Sequence, residues 1–216
     1  MKLVSIRQPG YLPYLGFFKK IESTDIFVFL DDVQYTRSNW DNRNKIGTND
    51  EPLWLTVPVL NKSSQLLNEV EIDNTKNWIY KHLSAIEYNY NDAPFFIIYW
   101  EEIKKIIKKP RKKLIELNLD LLNYFIIKLE IKSKIILSSS LNINETGSKK
   151  LLEICKSIGC DTYLSGELGK DYLDDEIFEK ENIKEIYEKF EHPKYYQKFE
   201  NFVPNLSIID LLFNEG

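Results

Sequence analysis

The chain has 216 residues, of which 43% are hydrophobic and 29% are charged, as is usual for a globular protein. The 29 basic and 33 acidic residues give a net charge of −4, which argues against a general nucleic-acid-binding protein. Only four of the basic residues are arginines, and three of them are Arg7, Arg37 and Arg43. Arginine binds carboxylates and phosphates with two parallel donors, so this bias predicts an anionic ligand near the N-terminal part of the chain.

The apolar run at the N-terminus is too short for a signal peptide, and the longest apolar stretches are well below the ~18 residues of a membrane span. We therefore expect a cytoplasmic protein without a membrane span; the sequence does not predict an oligomeric state. Cys155 and Cys160 have no further cysteine and no histidine near them in the sequence, so we expect two buried structural thiols.

Apolar runs predict a strand at Leu3–Arg7, a short helix at 17–22 and a strand at 26–30. Such a unit makes the two strands parallel, and ligands bind beyond the carboxyl ends of parallel strands. Further strands are predicted at 53–59, 70–72, 135–137, 161–164 and 183–187, and further helices at 147–158 and 207–213.

Between residues 75 and 130 the apolar residues follow a helical period, and no glycine occurs between Gly47 and Gly147. The fold class predicted from this pattern is α/β, with a small parallel Rossmann-like sheet core and a helical insertion around residues 75–130. A single domain over residues 1–216 is expected.

The loop that follows the first predicted strand, Gln8-Pro-Gly-Tyr-Leu-Pro-Tyr-Leu-Gly16, is rich in proline, glycine and tyrosine. A loop that enters a helix presents backbone N–H groups, which favour phosphate. We therefore expect Gln8 and Tyr11 to contact a ligand. The alternative is a tight turn with buried aromatic side chains.

The segment 31–45 contains paired carboxylates, two arginines, a lysine, a tryptophan and several amides, with few aliphatic residues. This set of planar donors suits an anionic or polyhydroxylated ligand such as a nucleotide-linked sugar. The alternative is a solvated hairpin. The candidate residues of this segment are Asp31, Asp32, Arg37, Trp40, Asn42 and Arg43.

The chain has two histidines, His82 and His192, and histidine is the side chain that most readily exchanges a proton near neutral pH. Each is a candidate general base, and the alternative for each is a hydrogen-bonded structural residue. Neither lies in a metal-ligand spacing such as H-x3-H, so no metal site is predicted. The glycine-containing loop after residue 164 adds Ser165 and Tyr172 as candidate ligand contacts, although it is neither a G-x-S-x-G turn nor a P-loop.

These segments, in this order, resemble the WbqC-like family of bacterial proteins over nearly the whole chain. The matching stretches are Gln8-Pro-Gly-Tyr-Leu-Pro-Tyr-Leu-Gly-Phe-Phe, Phe27-Val-Phe-Leu-Asp-Asp-Val-Gln34, Trp40-Asp-Asn-Arg-Asn-Lys-Ile46, Trp54-Leu-Thr-Val-Pro58, Trp78 with Lys81-His82, Tyr163-Leu-Ser-Gly166, His192-x-x-Tyr-x-Gln197 and Leu206-Ser-Ile-Ile-Asp-Leu-Leu-Phe-Asn214. The resemblance adds Gln197 to the candidate residues. One departure is Arg7, where relatives often carry histidine, so no catalytic role is assigned to that position.

The resemblance implies a role in O-antigen or capsule biosynthesis, in which family members are labelled as transferases that add glycine to an amino sugar. We therefore expect an N-acyl or aminoacyl transferase that acts on the amino group of a nucleotide-activated amino sugar. Candidate catalytic residues are His82, His192 and Asp32, and candidate substrate-binding residues are Gln8, Tyr11, Asp31, Arg37, Trp40, Asn42, Arg43, Ser165, Tyr172 and Gln197.

In this expectation Arg37, Arg43 and the 8–16 loop hold phosphates, while one histidine accepts the proton of the attacking amine. Asp31 or Asp32 orients that histidine or binds a sugar hydroxyl. No cofactor is assigned, and the acyl donor is a carrier-protein thioester, a charged tRNA, or ATP with a free amino acid. In the first case an acyl carrier protein is a partner.

Two alternatives remain open at this point. One is a nucleotidyltransferase-like enzyme in which Asp31 and Asp32 bind Mg²⁺, because the order of the first elements also resembles, more distantly, that of HIGH-motif nucleotidyltransferases. That resemblance concerns the fold only. The other alternative is a non-catalytic protein that binds or delivers an intermediate of the same pathway.

Overall fold

The computed structural model describes residues 1–60, 64–171 and 173–216. The strands are β1 (Leu3–Arg7), β2 (Ile26–Phe29), β3 (Arg43–Ile46), β4 (Leu53–Thr56), β5 (Val59–Leu60), β6 (Glu71–Ile72), β7 (Lys134–Leu137), β8 (Thr162–Gly166) and β9 (Lys184–Glu188). The α-helices are α1 (Leu15–Glu22), α2 (Trp78–Tyr90), α3 (Phe96–Lys108), α4 (Leu114–Lys128), α5 (Gly147–Ser157), α6 (Asp175–Lys180) and α7 (Ile208–Glu215).

The chain forms two compact units. Unit 1 consists of Met1–Gln8, Lys19–Val33 and Glu130–Glu191. Unit 2 consists of Pro9–Phe18, Gln34–Leu129 and His192–Gly216. The single domain expected from the sequence stays a prediction.

Unit 1 is built on a five-stranded parallel sheet in the order β7-β2-β1-β8-β9. Counted along the chain, this order is third, second, first, fourth, fifth, which is the doubly wound arrangement. All four residues of β2 are buried, as a strand covered on both faces requires. The predicted α/β class with a parallel Rossmann-like core is therefore confirmed.

The core of unit 1 lies between the sheet and the helices α5 and α6. Tyr163 of β8 stacks on Phe178 of α6, with 5.5 Å between the ring centroids. Cys155 and Cys160 are buried free thiols, as the sequence predicts, and they pack in this core with Ile154. The sheet side of this core is formed by Val4, Ile6, Ile26 and Val28, which are β-branched residues of β1 and β2.

Unit 2 contains the helices α2, α3, α4 and α7 and the short antiparallel pairs β3–β4 and β5–β6. The first three of these helices confirm the helical insertion predicted around residues 75–130. Its core is largely aromatic: Phe96 stacks on Trp100 at 5.4 Å, and Phe213 of α7 packs edge-on against Phe96 at 5.0 Å. Tyr90 lies in the same cluster, 5.4 Å from Phe213.

Two predicted features differ in the structure. The strand predicted at 53–59 is divided, because Pro58 has no N–H for a ladder; β4 ends at Thr56, and Val59–Leu60 pairs instead with β6. The polar segment 31–45, predicted as a ligand loop, contributes the strand β3 at its end. In β3 the side chains of Asn44 and Ile46 are buried.

Within the described ranges, no helix combines the length and the apolar character that a membrane crossing requires.

Candidate functional site

The carboxyl ends of β2 and β7 hold a cluster of polar side chains in unit 1. These strands are neighbours in the sheet, so Asp31 and Asp32 after β2 meet Ser138 and Ser139 after β7. The Ser139 N–H and hydroxyl donate to the two carboxylate oxygens of Asp31, at 2.9 and 2.7 Å. The Ser138 hydroxyl contacts both Asp31 and Asp32. The buried Asp31 carboxylate is thus satisfied by the protein itself.

Lys150 of α5 completes this cluster. Its ammonium nitrogen lies 2.8 Å from Asp32 Oδ2 and donates to the Ile143 carbonyl at 2.9 Å. The Lys150 and Asp32 side chains are only 6% and 16% exposed. The cation needed by these carboxylates is therefore already supplied, and a Mg²⁺ ion would have to displace Lys150. Among the described residues, no group of three or more His, Cys, Asp and Glu side chains is arranged to hold a metal ion.

A second set of polar groups lies between β1 and β8, where the strand order reverses. Here Lys20 of α1 is only 6% exposed. Its ammonium nitrogen lies 3.8 Å from Glu188 Oε2 at the end of β9. A Cβ built on Gly166, the last residue of β8, would lie only 3.5 Å from the Lys20 nitrogen. Gln8 follows β1 directly and is half-buried. In doubly wound sheets this point is where ligands bind.

The Lys20 ammonium is poorly compensated. Burial lowers the pKa of Lys20 to about 8, which the charge of Glu188 offsets only in part, and the positive charge of Arg7 acts in the same direction as burial. A pKa below the ordinary value means that the fold opposes the charged form of this side chain. A negatively charged ligand at this position would relieve that cost.

Ser165 lies one residue before Gly166 and is 2% exposed. Its hydroxyl has no hydrogen-bond partner in the described part of the chain. A Cβ on Gly169 would lie 2.1 Å from the Ser165 oxygen, so this hydroxyl is closely covered by the loop that follows β8. Tyr172, the other candidate from this loop, lies outside the described residues.

In unit 2 the structure joins two of the predicted residues, Tyr11 and His82. The Tyr11 hydroxyl lies 3.0 Å from His82 Nδ1, and His82 Nε2 lies 3.1 Å from the Thr56 carbonyl oxygen. Because a carbonyl can only accept, the ring proton is on Nε2, and Nδ1 accepts from Tyr11. Tyr11 and His82 are 0% and 5% exposed. These contacts favour the alternative interpretation of the 8–16 loop, a tight turn with buried aromatic side chains.

Burial also sets the charge of His82. It lowers the pKa of His82 to about 4, against the opposite effect of the hydrogen bond to Thr56. His82 is therefore neutral at pH 7, and both of its nitrogens are occupied. This is the environment of a structural histidine, and it does not favour the predicted role as general base.

His192 lies in a different cluster of unit 2. Its Nδ1–H donates to the Pro193 carbonyl at 2.9 Å, which places the lone pair on Nε2. The ring lies 5.8 Å from that of Tyr195 and 5.7 Å from that of Phe202. This tautomer is the one that a general base acting through Nε2 requires.

Next to His192, the buried Asp210 of α7 accepts hydrogen bonds from Tyr90 at 2.7 Å, Tyr195 at 2.6 Å and Gln197 at 2.8 Å. Burial raises the pKa of Asp210 although the three donors act in the opposite direction. The Gln197 side-chain oxygen also accepts from the Val203 N–H at 2.8 Å. The amide of Gln197 is thus used within the protein, which favours a structural role over the predicted substrate contact.

The segment 31–45 is divided between the two units. In unit 2, Asn42 is buried and its Nδ2 donates to the Val57 carbonyl at 2.8 Å, while its Oδ1 has no partner in the described residues. The pKa of Tyr35 is raised, first by burial and then by the charge of Asp41, whereas Arg37 and Arg43 act in the opposite direction. Arg37 and Arg43 therefore both lie in unit 2, and the charges of both act on the hydroxyl of Tyr35.

Trp40 is 48% exposed, and its ring centroid lies 5.3 Å from that of Trp54 on β4, which is 38% exposed. Arg43 and Lys45 of β3 lie over the Trp54 ring, at 4.3 and 4.9 Å from its centroid. We call these four residues the aromatic–cation surface. It contains two of the predicted residues, Trp40 and Arg43.

Several residues of these clusters were missed in the sequence. The serines after β7 could have been found, because they follow a predicted strand whose carboxyl end must lie near that of β2. Trp54 and Lys45 could have been found from the alternation of a hairpin. Lys20 and Lys150 give no such signal, since a lysine on an amphipathic helix is usually exposed.

Unit 1 thus has the doubly wound α/β architecture, with charged side chains at the sheet edge where such proteins bind small ligands. Residues 8–216 match the WbqC-like protein family, and the chain belongs to this family. It is 33% identical over 220 residues to "Uncharacterized protein Rv1507c" of Mycobacterium tuberculosis (strain ATCC 25618 / H37Rv), an alignment that covers 100% of this chain and 95% of that protein. No solved structure is significantly similar to the chain.

Removing one partner of the buried ion pair between Lys150 and Asp32 is expected to destabilise unit 1 strongly. Lys150→Met leaves a carboxylate buried without its cation, so the free energy of unfolding should fall by roughly 3–5 kcal/mol, measured by urea unfolding. Lys156→Met on the same helix is the matched control, because its pairs with Glu153 and Glu181 are partly exposed; it should cost less than about 1 kcal/mol. Equal losses in the two variants would contradict this assignment.

The pKa of His82 predicts a pH dependence of stability. The folded state holds its imidazole neutral down to about pH 4, whereas the unfolded chain takes up the proton near its ordinary value of 6.5. Stability attributable to His82 is therefore present above pH 6.5 and is lost as the pH falls toward 4, by roughly 3 kcal/mol in total. His82→Gln should remove this part of the pH dependence in urea titrations at several pH values. An unchanged difference between pH 7 and pH 4 would contradict the assignment.

Proposed function

We propose that the protein is an N-acyl or aminoacyl transferase that acts on the amino group of a nucleotide-activated amino sugar, in the biosynthesis of a bacterial surface polysaccharide. The observation that carries the proposal is the reversal of strand order between β1 and β8, with the buried ammonium of Lys20 beside it. This is the position at which doubly wound sheets bind nucleotides.

The charge balance at Lys20 supports a phosphate at this position. The ammonium is buried, and among the described residues it pairs with Glu188 at 3.8 Å, which is beyond hydrogen-bond distance. The phosphate oxygens of a nucleoside diphosphate would accept hydrogen bonds from Lys20 and add negative charge beside its ammonium. The Lys20 ammonium lies beside Gly166 at the end of β8, 3.5 Å from the position that a Cβ would take.

The transfer itself needs an acceptor for one proton. The sugar amine must be neutral to attack the acyl carbonyl carbon; a nitrogen–carbon bond forms, the bond from that carbon to the donor breaks, and the donor group leaves with its electron pair. The amine proton passes to a base. Of the two predicted bases, we propose His192, because both nitrogens of His82 are occupied within the protein.

The choice of an amino sugar as acceptor and of surface polysaccharide as pathway follows from what the resemblance to the family implies. The donor is a carrier-protein thioester, a charged tRNA, or ATP with a free amino acid. Family membership is the finding on which this part of the proposal rests.

Binding of the nucleotide part can be measured by titration calorimetry with a UDP-linked amino sugar and with the same sugar lacking the nucleotide. The wild-type protein should bind only the nucleotide-linked form at micromolar concentration. Lys20→Met should weaken this binding at least tenfold. Lys19→Met is the matched control, since this exposed neighbour pairs with Glu22 and should leave the affinity unchanged. Equal affinity in all three proteins would refute the nucleotide site.

Turnover can be followed by mass spectrometry after incubation with UDP-linked amino sugars and each of the three donors. The expected product is the sugar nucleotide heavier by one acyl group, formed at least a hundredfold more slowly by His192→Ala. His82→Gln should keep more of the activity than His192→Ala when equal amounts of folded protein are compared.

The other outcomes of this assay separate the alternatives. Tight binding of the sugar nucleotide without any product from any donor would favour the binding or delivery protein. Release of pyrophosphate without acylation would favour the nucleotidyltransferase-like enzyme. Full transfer rates in both histidine variants would exclude the proposed proton acceptor.

A further inference from the structure

The outer face of the β3–β4 hairpin in unit 2 carries the aromatic–cation surface. In the register of the two strands, Lys45 lies opposite Trp54 and Arg43 lies opposite Thr56. The side chains of Arg43, Lys45 and Trp54 therefore share one face of the hairpin, together with Thr56. The other face carries the buried side chains of Asn44, Ile46 and Leu55. The hairpin is thus anchored on one side and presents rings and cations on the other.

The backbone that carries this surface is held in place. The Tyr11 N–H donates to the Trp40 carbonyl at 3.2 Å, and Gly10 packs so closely that a Cβ there would lie 2.9 Å from the same oxygen. The Val57 N–H donates to the Asn42 carbonyl at 2.8 Å, and the Asn42 side chain returns a hydrogen bond to Val57. The surface is therefore preorganised, which lowers the entropic cost of binding.

The exposure of the two tryptophans points to a ligand. Trp40 and Trp54 are 48% and 38% exposed, whereas Trp78 and Trp100 are 5% and 3% exposed. Exposed tryptophan next to arginine is typical of binding surfaces. Within unit 2 the Arg43 Nε is also buried without a hydrogen-bond partner in the described residues.

The geometry selects among ring-shaped ligands. The Trp40 and Trp54 rings are tilted by 37° at a centroid distance of 5.3 Å. A base inserted between two rings needs roughly 7 Å, that is two van der Waals contacts of about 3.5 Å. The two tryptophans therefore contact each other and leave no slot for a base between them. A ligand can stack only on an outward part of these rings, as the apolar C–H face of a sugar ring does.

The charges add a second requirement. Arg43 and Lys45 place two cations at the Trp54 ring, and a guanidinium that lies over a ring directs its N–H donors to the side. The carboxylate of Asp41, which acts on the nearby Tyr35, belongs to a residue only 2% exposed. A ligand on this surface is thus met by cations at its edge.

We propose that the aromatic–cation surface binds a sugar ring that carries a negatively charged substituent, a carboxylate or a phosphate. Trp40 and Trp54 stack on the ring, and Arg43 and Lys45 bind the anionic group. This site is separate from the nucleotide-binding position at Lys20 in the sequence and in its residues, and it does not depend on a transfer reaction.

The test uses the full-length ¹⁵N-labelled protein and three probes: glucuronate, glucose and inorganic phosphate. The four indole N–H signals are assigned with Trp→Phe variants. Glucuronate should shift the Trp40 and Trp54 signals saturably and leave those of the buried Trp78 and Trp100 in place. Glucose should bind at least fivefold more weakly, because it lacks the charge, and phosphate should not produce the ring-dependent shifts of both indoles.

Variants separate the stacking from the charge. Trp54→Ala should weaken glucuronate binding at least tenfold, and Arg43→Gln should abolish the preference for glucuronate over glucose. Tyr88→Ala is the matched control, since this tyrosine of α2 is 83% exposed and lies outside the surface. If Trp54→Ala does not fold, Arg43→Gln and Trp54→Phe carry the test. The dispersion of the backbone amide signals reports folding.

The proposal is overturned if no indole signal shifts saturably, if glucose binds as well as glucuronate, if phosphate alone reproduces the shifts, or if binding is unchanged in Arg43→Gln and the Trp54 variants. Lys20→Met should retain glucuronate binding. Loss of sugar-nucleotide binding at Lys20 with glucuronate binding intact, or the reverse, would therefore show which of the two proposals fails.

Discussion

A parallel sheet with cover on both faces has room for charged side chains only where its strands end. All four residues of β2 are buried, so the first polar side chains that it offers are Asp31 and Asp32, beyond its carboxyl end. The same constraint acts on β1, which is followed by Gln8, and on β9, which ends at Glu188. The buried charges of Asp31, Lys20 and Lys150 therefore lie along the carboxyl edge of the sheet, and each must find a partner there.

The two buried cations at this edge are compensated to different degrees. Lys150 contacts Asp32 at 2.8 Å and a carbonyl at 2.9 Å, and the serines after β7 satisfy the remaining carboxylate oxygens. Among the described residues Lys20 pairs with Glu188 at 3.8 Å, and the like charge of Arg7 lowers the pKa of its ammonium. The first arrangement closes its own hydrogen bonds and needs no ligand. The second keeps binding capacity for an anion, and this difference is why the nucleotide is proposed at Lys20 and not at the aspartates.

The elements of the fold could be predicted because they depend on local patterns. The runs of apolar residues at 3–7 and 26–30 and the helical period between 75 and 130 are each visible within a short window. The partners of the polar residues could not be predicted in this way. Asp31 meets Ser139 from 108 positions away, and His82 meets Tyr11 from 71 positions away. Such contacts are set by the tertiary fold, which no local pattern contains.

The segment 31–45 shows that polar composition alone does not distinguish a ligand site from a buried loop. Its density of amides and charges predicted a ligand site, yet Asn42 and Asn44 are buried and bond to backbone carbonyls. A buried loop backbone needs polar partners as much as a ligand does, and both demands select the same residue types. Trp40 and Arg43 in the same segment are distinguished only by the exposure that the folded hairpin gives them.

The use of hydrogen-bonding capacity is therefore the property that separates structural from candidate functional residues. His82 has both nitrogens occupied, and Gln197 uses both its amide nitrogen and its oxygen within the protein. A substrate could reach these groups only by breaking buried hydrogen bonds, each of which leaves an unsatisfied polar atom at a cost of roughly 1–3 kcal/mol. A ligand at Lys20, whose pair with Glu188 is longer than a hydrogen bond, or at the half-exposed rings of Trp40 and Trp54 would not have to break a buried hydrogen bond.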